Sequence, residues 1–364
     1  MRLDSADAKF MRRCLLLAQK GEGKVSPNPL VGAVLVKNGK IIGEGFHEKF
    51  GAPHAETNAI ADAKRRGHNM SGSTLYVSLE PCSHSGKGKK TPPCVPLIIN
   101  FGIKRVVIAA KDPNPKVSGI EELKAAGIRV DIGLLENEAK EQNEIFFKFM
   151  KTGKPFVLLK MAQSANGKIG IRGKSNVRIS GRKVNRQVQQ LRNRFDSILV
   201  GINTVLADNP RLTCRLPGGR NPARIVLDSN LRIPLTANVL KNARKEKVII
   251  ATSEKRGREK QKQLEKLGAK VIVCGKNRAE LQRLLASLPS YGIISVLIEG
   301  GAAVARAAME ERLADMACIA VSKKKKILLP NAVGSPFSQA MLRSFVQKKD
   351  FGSDFLYQKR FFKL

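Results

Sequence analysis

Four residues within the first hundred carry the most specific chemistry: His54, Glu56, Cys82 and Cys94. One imidazole and two thiolates are soft donors that suit zinc. Three protein donors leave the fourth tetrahedral position for water, the arrangement of catalytic rather than structural sites. Zinc there would bring the pKa of that water near neutrality, making hydroxide available. Glu56, two residues after the imidazole, can carry a proton from the water to a departing amine. The order His54-Ala55-Glu56, then Pro81-Cys82, then Cys94 is that of zinc-dependent hydrolytic deaminases. It departs in one respect: eleven residues separate the cysteines where Cys-x-x-Cys is usual. Two other arrangements use the same residues, a closed structural zinc site completed by His84 or plain buried thiols. Neither gives Glu56 anything to do.

A second set of residues lies in the other half. No Gly-x-Gly-x-x-Gly occurs there, so the common dinucleotide fingerprint is missing. Instead Ile298-Glu299-Gly300-Gly301-Ala302 follows an apolar run and opens a helical pattern. Paired glycines allow close backbone approach, and a helix N-terminus favours phosphate. Alone, a Gly-Gly pair between strand and helix is more often only a turn. Three more stretches, residues 160–168, 204–213 and 225–229, also lie at the carboxyl ends of predicted strands, where open α/β sheets bind ligands.

These residues need a scaffold. A helix is predicted over residues 4–20, then a hairpin through Lys37-Asn38-Gly39-Lys40, joining strands 30–36 and 41–46. A helix opens at Pro53-His54, and strand 74–79 runs straight into Glu80-Pro81-Cys82. Helix 97–101, strand 105–110, helix 121–126, strand 128–132 and helix 138–150 complete an alternating unit. Lys151-Thr152-Gly153-Lys154-Pro155 breaks the pattern, which places the domains at 1–150 and 151–364. The second half alternates strands 156–161, 198–201, 224–227, 248–251, 271–273 and 295–298 with helices 182–195, 259–267, 280–288 and 302–311. Such alternation predicts a largely parallel sheet. After Pro330 the pattern is weaker, with a strand expected over 355–362, and the run Lys323–Lys326 reads as a solvated loop.

The chain has 364 residues, 42% hydrophobic and 26% charged, which excludes disordered, collagen-like and disulfide-scaffold classes. No apolar run reaches membrane-span length. The start reads as an amphipathic helix rather than a signal or transit peptide, and six scattered cysteines suit a reducing compartment, so a cytoplasmic protein is expected. The formal net charge is +36. Residues 1–150 hold 23 basic and 16 acidic groups, a net of +7; residues 151–364 hold 43 and 14, a net of +29. That field attracts phosphates and polyanions. Aromatic content is only 5% with no Trp, so base-stacking platforms are scarce and nucleic acid is not the expected partner.

Residues 25–115 resemble the deaminase half of the bifunctional riboflavin-biosynthesis deaminase/reductases. The resemblance is carried by Pro27-Asn28-Pro29-Leu30-Val31-Gly32, Gly43-Glu44-Gly45-Phe46-His47, His54-Ala55-Glu56, Leu79-Glu80-Pro81-Cys82-Ser83-His84, Thr91-Pro92-Pro93-Cys94 and Lys111-Asp112-Pro113-Asn114-Pro115. The strand-end motifs of the second half resemble the reductase half of the same enzymes, in the same order, so the resemblance spans about residues 5–320. It implies an α/β chain, with a cytidine-deaminase-like three-layer domain followed by a dihydrofolate-reductase-like domain. It implies zinc on His54, Cys82 and Cys94 with Glu56 catalytic, and a pyrimidine ribonucleotide held by Asn28, His47 and His84. It implies NADPH against Ala162, Thr204, Asp208, Ser229 and the helix start Gly301, Ala302, Ala303, Val304, Ala305, Arg306 and Ala307. Substrate contacts in that half would be Arg192, Leu212, Arg215 and Glu299, since a sugar phosphate suits guanidinium partners. Asp208, and less directly Lys160, are placed to handle a proton.

Four departures are visible. Three extra residues fall within 85–90. Arg178 stands where the family has Trp, and Asn166 where it has Asp before Gly-Lys. Residues 322–330 replace a Pro-Lys-Leu-Leu-Gly-Gly stretch. The rival readings are a deaminase with a degenerate reductase half, an RNA-acting zinc deaminase with a basic appended domain, and a non-catalytic zinc scaffold. A homo-oligomer is compatible with any of them.

Overall fold

The computed structural model describes residues 5–84, 91–175, 177–345 and 347–362. The inserted residues within 85–90 lie outside them. The chain divides into two compact units at Gly153/Lys154.

The first unit runs α1 (Ser5–Gln19), β1 (Gly32–Lys37), β2 (Lys40–Phe46), α2 (Ala55–Arg65), β3 (Thr74–Leu79), α3 (Cys94–Asn100), β4 (Arg105–Ala110), α4 (Gly119–Ala125), β5 (Arg129–Ile132), α5 (Glu136–Gln142) and α6 (Glu144–Thr152). Its five-stranded sheet has the order β2-β1-β3-β4-β5, with β3, β4 and β5 parallel. The hairpin closes as expected: Lys37 pairs with Lys40, and Asn38 and Gly39 take φ of 51° and 72°. Those left-handed values are what Asn-Gly tolerates. Strand alternation sorts the apolar side chains onto two faces. Ala33, Leu35, Leu75, Val77, Val106 and Ile108 meet Ala59 of α2, Ile98 of α3 and Leu123 of α4. Val34, Val36, Tyr76 and Val107 meet Cys14 of α1, Ala139 of α5 and Phe147 of α6. The unit is therefore a three-layer α/β/α sandwich.

Two expectations in this unit are corrected. The helix predicted over 138–150 is two helices, broken at Asn143. The buried Asn143 side chain accepts from the Leu30 amide (2.7 Å) and donates to the Leu30 carbonyl (2.9 Å), a non-helical use of its amide. The helix predicted to start at Leu97 starts at Cys94, because Pro96 lies in the first turn, where its missing N–H costs no helical bond.

The second unit runs β6 (Phe156–Gln163), β7 (Lys168–Ile171), α7 (Arg182–Arg194), β8 (Ser197–Gly201), α8 (Ile202–Asp208), β9 (Ala223–Leu227), β10 (Val248–Thr252), α9 (Arg258–Lys266), β11 (Lys270–Val273), α10 (Leu281–Ser287), β12 (Ser295–Glu299), α11 (Ala302–Glu310), β13 (Met316–Ser322), β14 (Ala332–Gly334), α12 (Gln339–Arg343), β15 (Gln347–Asp350) and β16 (Asp354–Arg360). A nine-stranded sheet has the order β11-β10-β9-β8-β12-β6-β13-β16-β15, and β7 pairs with β14 in a separate ribbon. All neighbours from β11 to β13 are parallel, and β16 and β15 join antiparallel. Sequence periodicity leaves β13 unassigned, because Ala317, Cys318, Ile319 and Ala320 are all buried and a strand covered on both faces has no alternation. The lysine run lies in the loop after β13. Lys323 pairs with Asp350, and the next three lysines are exposed.

Candidate active sites: a metal cluster and a strand-edge crevice

In the first unit the chemistry begins at the end of β2. A Cβ on Gly45 would lie 2.3 Å from the Ala59 amide nitrogen, so only glycine lets α2 press this closely on β2. That contact sets the start of α2, where His54 is the residue preceding the first turn and Glu56 lies within it. From the other side, β3 delivers Cys82. Glu80 fastens this turn, its two carboxylate oxygens accepting from the Asp112 amide (3.1 Å) and the Ile120 amide (3.0 Å). The Cys82 carbonyl then accepts from the amides of Cys94 (2.9 Å) and Val95 (3.3 Å), docking the start of α3 onto the first cysteine.

The result is convergence. His54 Nδ1 lies 3.3 Å from Cys82 Sγ and 3.4 Å from Cys94 Sγ, and the three donor atoms all lie within 4.8 Å of one another. Such separations suit donors about 2.0–2.3 Å from one tetrahedral zinc ion. Among the described residues this is the group of metal-ligating side chains that converges, and His84, half-buried two residues beyond Cys82, is not in it. Glu56 is buried beside the cluster; burial, then the Cys82 thiol, push its pKa up to about 7. Its Oε2 is buried without a hydrogen-bond partner. The Cys94 thiol is also pushed upward, by its contact with Cys82 and by burial. Two thiols and a carboxylate crowded together out of water are the surroundings that a divalent cation would relieve, so the residues fit zinc.

Around the cluster, His47 Nδ1 faces the Pro53 carbonyl at 3.1 Å and its Nε2 faces Asn28 Nδ2 at 3.1 Å. This fixes the tautomer with the proton on Nδ1. Burial lowers the His47 pKa, so the ring stays neutral, and it packs edge-on to His54 at 5.4 Å. The structure adds Thr91, whose hydroxyl lies 2.9 Å from His54 Nε2. Thr91 is legible in the sequence only as part of the Thr-Pro-Pro-Cys stretch, because spacing does not reveal which ring nitrogen faces the metal.

In the second unit the candidate residues gather along the carboxyl ends of four adjacent parallel strands: Ser229 after β9, Thr204 after β8, Glu299 with Gly300-Gly301 at β12, and Ala162 on β6. From β8 the chain winds outward through β9, whereas from β12 it crosses to the far side of β6. The β8/β12 boundary is therefore a topological switch point, where a ligand crevice is expected in such a sheet. Gly300 and Gly301 have φ of 91° and 84°, and a Cβ on Gly301 would lie 3.3 Å from Thr204 Oγ1 and 3.8 Å from the Gly201 amide. Gly201 closes β8 beside Gly301 and is not among the residues singled out from sequence; its signal is a glycine ending a strand. Gly301 precedes α11, within which Val304 and Ala305 are buried in the core, whereas Ala303 and Arg306 are exposed and Ala302 and Ala307 half-buried. The Ser229 hydroxyl is engaged by the Ala279 amide (3.0 Å). Asp208 is half-buried at the end of α8.

Arg192 and Glu299 form a fork-to-fork ion pair (2.8 and 2.7 Å), and Arg192 Nη1 also donates to the Thr213 carbonyl (3.0 Å). Burial raises the Glu299 pKa, but Arg192, with help from Lys160 and Arg215, outweighs it and holds the carboxyl below its ordinary range. The bidentate edge of Arg192 that the sequence offers to a phosphate is thus already closed on Glu299. Arg215 is exposed, its amide held by Gln189 of α7 (2.8 Å), and Leu212 is buried with φ of 54°. Arg178 is exposed, so no aromatic wall stands at that position.

A three-layer α/β/α unit with a His/Cys/Cys cluster beside a buried carboxylate, followed by a parallel-sheet unit with paired glycines at its strand edge, fits a zinc-dependent deaminase joined to a reductase. The comparisons agree. A family model described as cytidine and deoxycytidylate deaminase zinc-binding region matches residues 4–110, and one described as RibD C-terminal domain matches residues 155–324. The riboflavin biosynthesis protein RibD of Actinobacillus pleuropneumoniae is 44% identical over 308 residues, covering 84% of this chain and 80% of that protein. The crystal structure of the diaminohydroxyphosphoribosylaminopyrimidine deaminase/5-amino-6-(5-phosphoribosylamino)uracil reductase of Thermotoga maritima is 38% identical, with a TM-score of 0.84 over 97% of this chain and 98% of that one. Acinetobacter baumannii RibD (form 1) is 34% identical, with a TM-score of 0.85 over 98% of each chain. The chain belongs to the RibD family of riboflavin biosynthesis proteins, bifunctional deaminase–reductases that use zinc and NADPH.

Proposed function

We propose that the first unit hydrolytically deaminates 2,5-diamino-6-(5-phosphoribosylamino)pyrimidin-4-one and that the second reduces the ribosyl side chain of the product to ribityl with NADPH. The observation that carries this reading is the meeting of His54 Nδ1, Cys82 Sγ and Cys94 Sγ beside the buried Glu56 carboxyl. Zinc, held by His54, Cys82 and Cys94, would make a water acidic enough to supply hydroxide near neutral pH. Glu56 takes up a proton and returns it to the departing amino group. His47 receives the Asn28 amide N–H, which leaves the Asn28 carbonyl oxygen for an amino group of the pyrimidine. His84, beside Cys82, is assigned to the same substrate.

NADPH, when bound, supplies hydride to the open-chain sugar. Gly201, Thr204, Gly300 and Gly301 give its phosphates close approach to backbone N–H groups, with the Ala162, Asp208 and Ser229 positions along the same strand edge. Three of the five N–H groups of Arg192 are taken by Glu299 and Thr213, so its remaining two serve the ribosyl hydroxyls and Arg215 the phosphate. Both ligands are anions, which a positive second half attracts.

We assign the protein to the cytoplasm; no helix of the described residues is long and apolar enough to cross a membrane. The test is product analysis with the diamino substrate: ammonia and the ribosyl product without NADPH, and the ribityl product with it. Undetectable NADPH binding would make the second unit a degenerate partner. The charge of +29 favours an RNA-directed deaminase as the second reading. RNA retention with a steep salt slope would support it and displace the first.

A further inference from the structure

Two loops at the carboxyl end of the large sheet, one leaving β6 and one leaving β13, are stitched together along their length. The Ala165 amide donates to the Lys325 carbonyl (2.7 Å) and the Ser335 amide to the Gly167 carbonyl (2.8 Å). Between these, β7 pairs antiparallel with β14, the Arg172 amide donates to the Asn331 carbonyl (3.0 Å), and Asn331 Nδ2 donates to the Arg172 carbonyl (2.8 Å). Those bonds are backbone–backbone apart from that of Asn331. A second side chain does more. Asn166 Nδ2 donates to the Ile327 carbonyl (2.8 Å), while its Oδ1 accepts from the Ile327 amide (3.1 Å) and the Ser164 hydroxyl (2.7 Å). Ser164 Oγ in turn accepts from the Lys168 amide (2.9 Å), closing the loop on itself.

We propose that Asn166 is a positioning residue of the reductase site, clamping the loop after β6 to residues 325–327 and so fixing the wall beside the β8/β12 crevice. The strand order supports the link to the site. β6 lies next to β12, whose end carries Gly300-Gly301, and Asn166 follows Ala162 by four residues in the segment leaving β6. The chemistry requires an amide. A carboxylate of the same shape keeps the acceptor for the Ile327 amide but has no donor for the Ile327 carbonyl, and sets oxygen against oxygen there.

The inference rests on the reading that the crevice takes NADPH, and the experiment separates the two. Full-length Asn166→Asp and Asn331→Asp proteins are compared with the parent by NADPH kinetics, with deamination as the internal control for folding and hydrogen exchange at the Ile327 amide. Loss of one hydrogen bond with a stranded partner should raise KM for NADPH about fivefold in Asn166→Asp. kcat should stay within about twofold and deamination should be unchanged; Asn331→Asp shifts KM the same way by less. Exchange at Ile327 should quicken in Asn166→Asp. A KM equal to the parent's, or a fall in kcat alone, overturns the proposal. If the parent reduces nothing with NADPH, the crevice reading fails by itself, and unchanged Ile327 exchange in Asn166→Asp then overturns the clamp.

Discussion

At the first site four side chains from three stretches of chain, 54–56, 82 and 94, meet within a few ångströms, and each is there for its own atoms. At the second site the chain offers mostly backbone: paired left-handed glycines, strand ends and the first turn of α11, with one buried Arg192–Glu299 pair as the exception. The first arrangement depends on donor identity, so a change of atom type should abolish its chemistry without moving the fold. The second depends on shape, so a change of shape should weaken binding by degrees.

Glu56→Gln is the sharpest way to break the comparison. It keeps the shape and removes the proton carrier, so deamination should fall by about 10²–10⁴-fold, while zinc content and NADPH-dependent reduction remain. Deamination at the parent's rate would remove Glu56 from the mechanism. On the other side, Arg192→Met strips a buried carboxylate of its partner and should cost the second unit about 3–5 kcal/mol, read as a lower melting temperature. Glu299 is held below its ordinary pKa, so the pair's contribution is complete above the unfolded carboxylate value and disappears as pH falls through the lowered folded one. The variant should therefore lose the acid limb of the parent's stability profile, and an identical profile would show that the pair contributes nothing.

Thr91→Val should weaken zinc binding by about 10–100-fold in chelator competition, because His54 Nε2 loses the oxygen that orients the ring. Thr91→Ser should restore it, and equal affinities in all three proteins would contradict the role. The smallest effect belongs to the backbone site. Gly301→Ala forces φ of 84° on an alanine and places a methyl 3.3 Å from Thr204 Oγ1, which should weaken NADPH binding by about tenfold. Unchanged binding would place the nucleotide elsewhere on the edge.

The same contrast explains what was legible beforehand. His54, Glu56, Cys82 and Cys94 could be read because zinc chemistry restricts residue type and order. The hairpin at Asn38-Gly39 could be read because few dipeptides adopt its dihedrals. Thr91 could not, since a hydroxyl beside an imidazole is a fact of orientation. The break at Asn143 was hidden because the bond to Leu30 joins residues 113 apart in sequence. β13 was hidden by its burial on both faces, and with it the seam that joins Asn166 to Ile327. The closed Arg192–Glu299 fork was likewise invisible: both residues stood out, but not that they bind each other.

The most direct measurement is X-ray absorption at the zinc edge of the metal-loaded protein. The account predicts two sulfurs, one imidazole nitrogen and one further oxygen that substrate analogues perturb. A shell of two sulfurs and two imidazoles, with His84 closing the site, would contradict it.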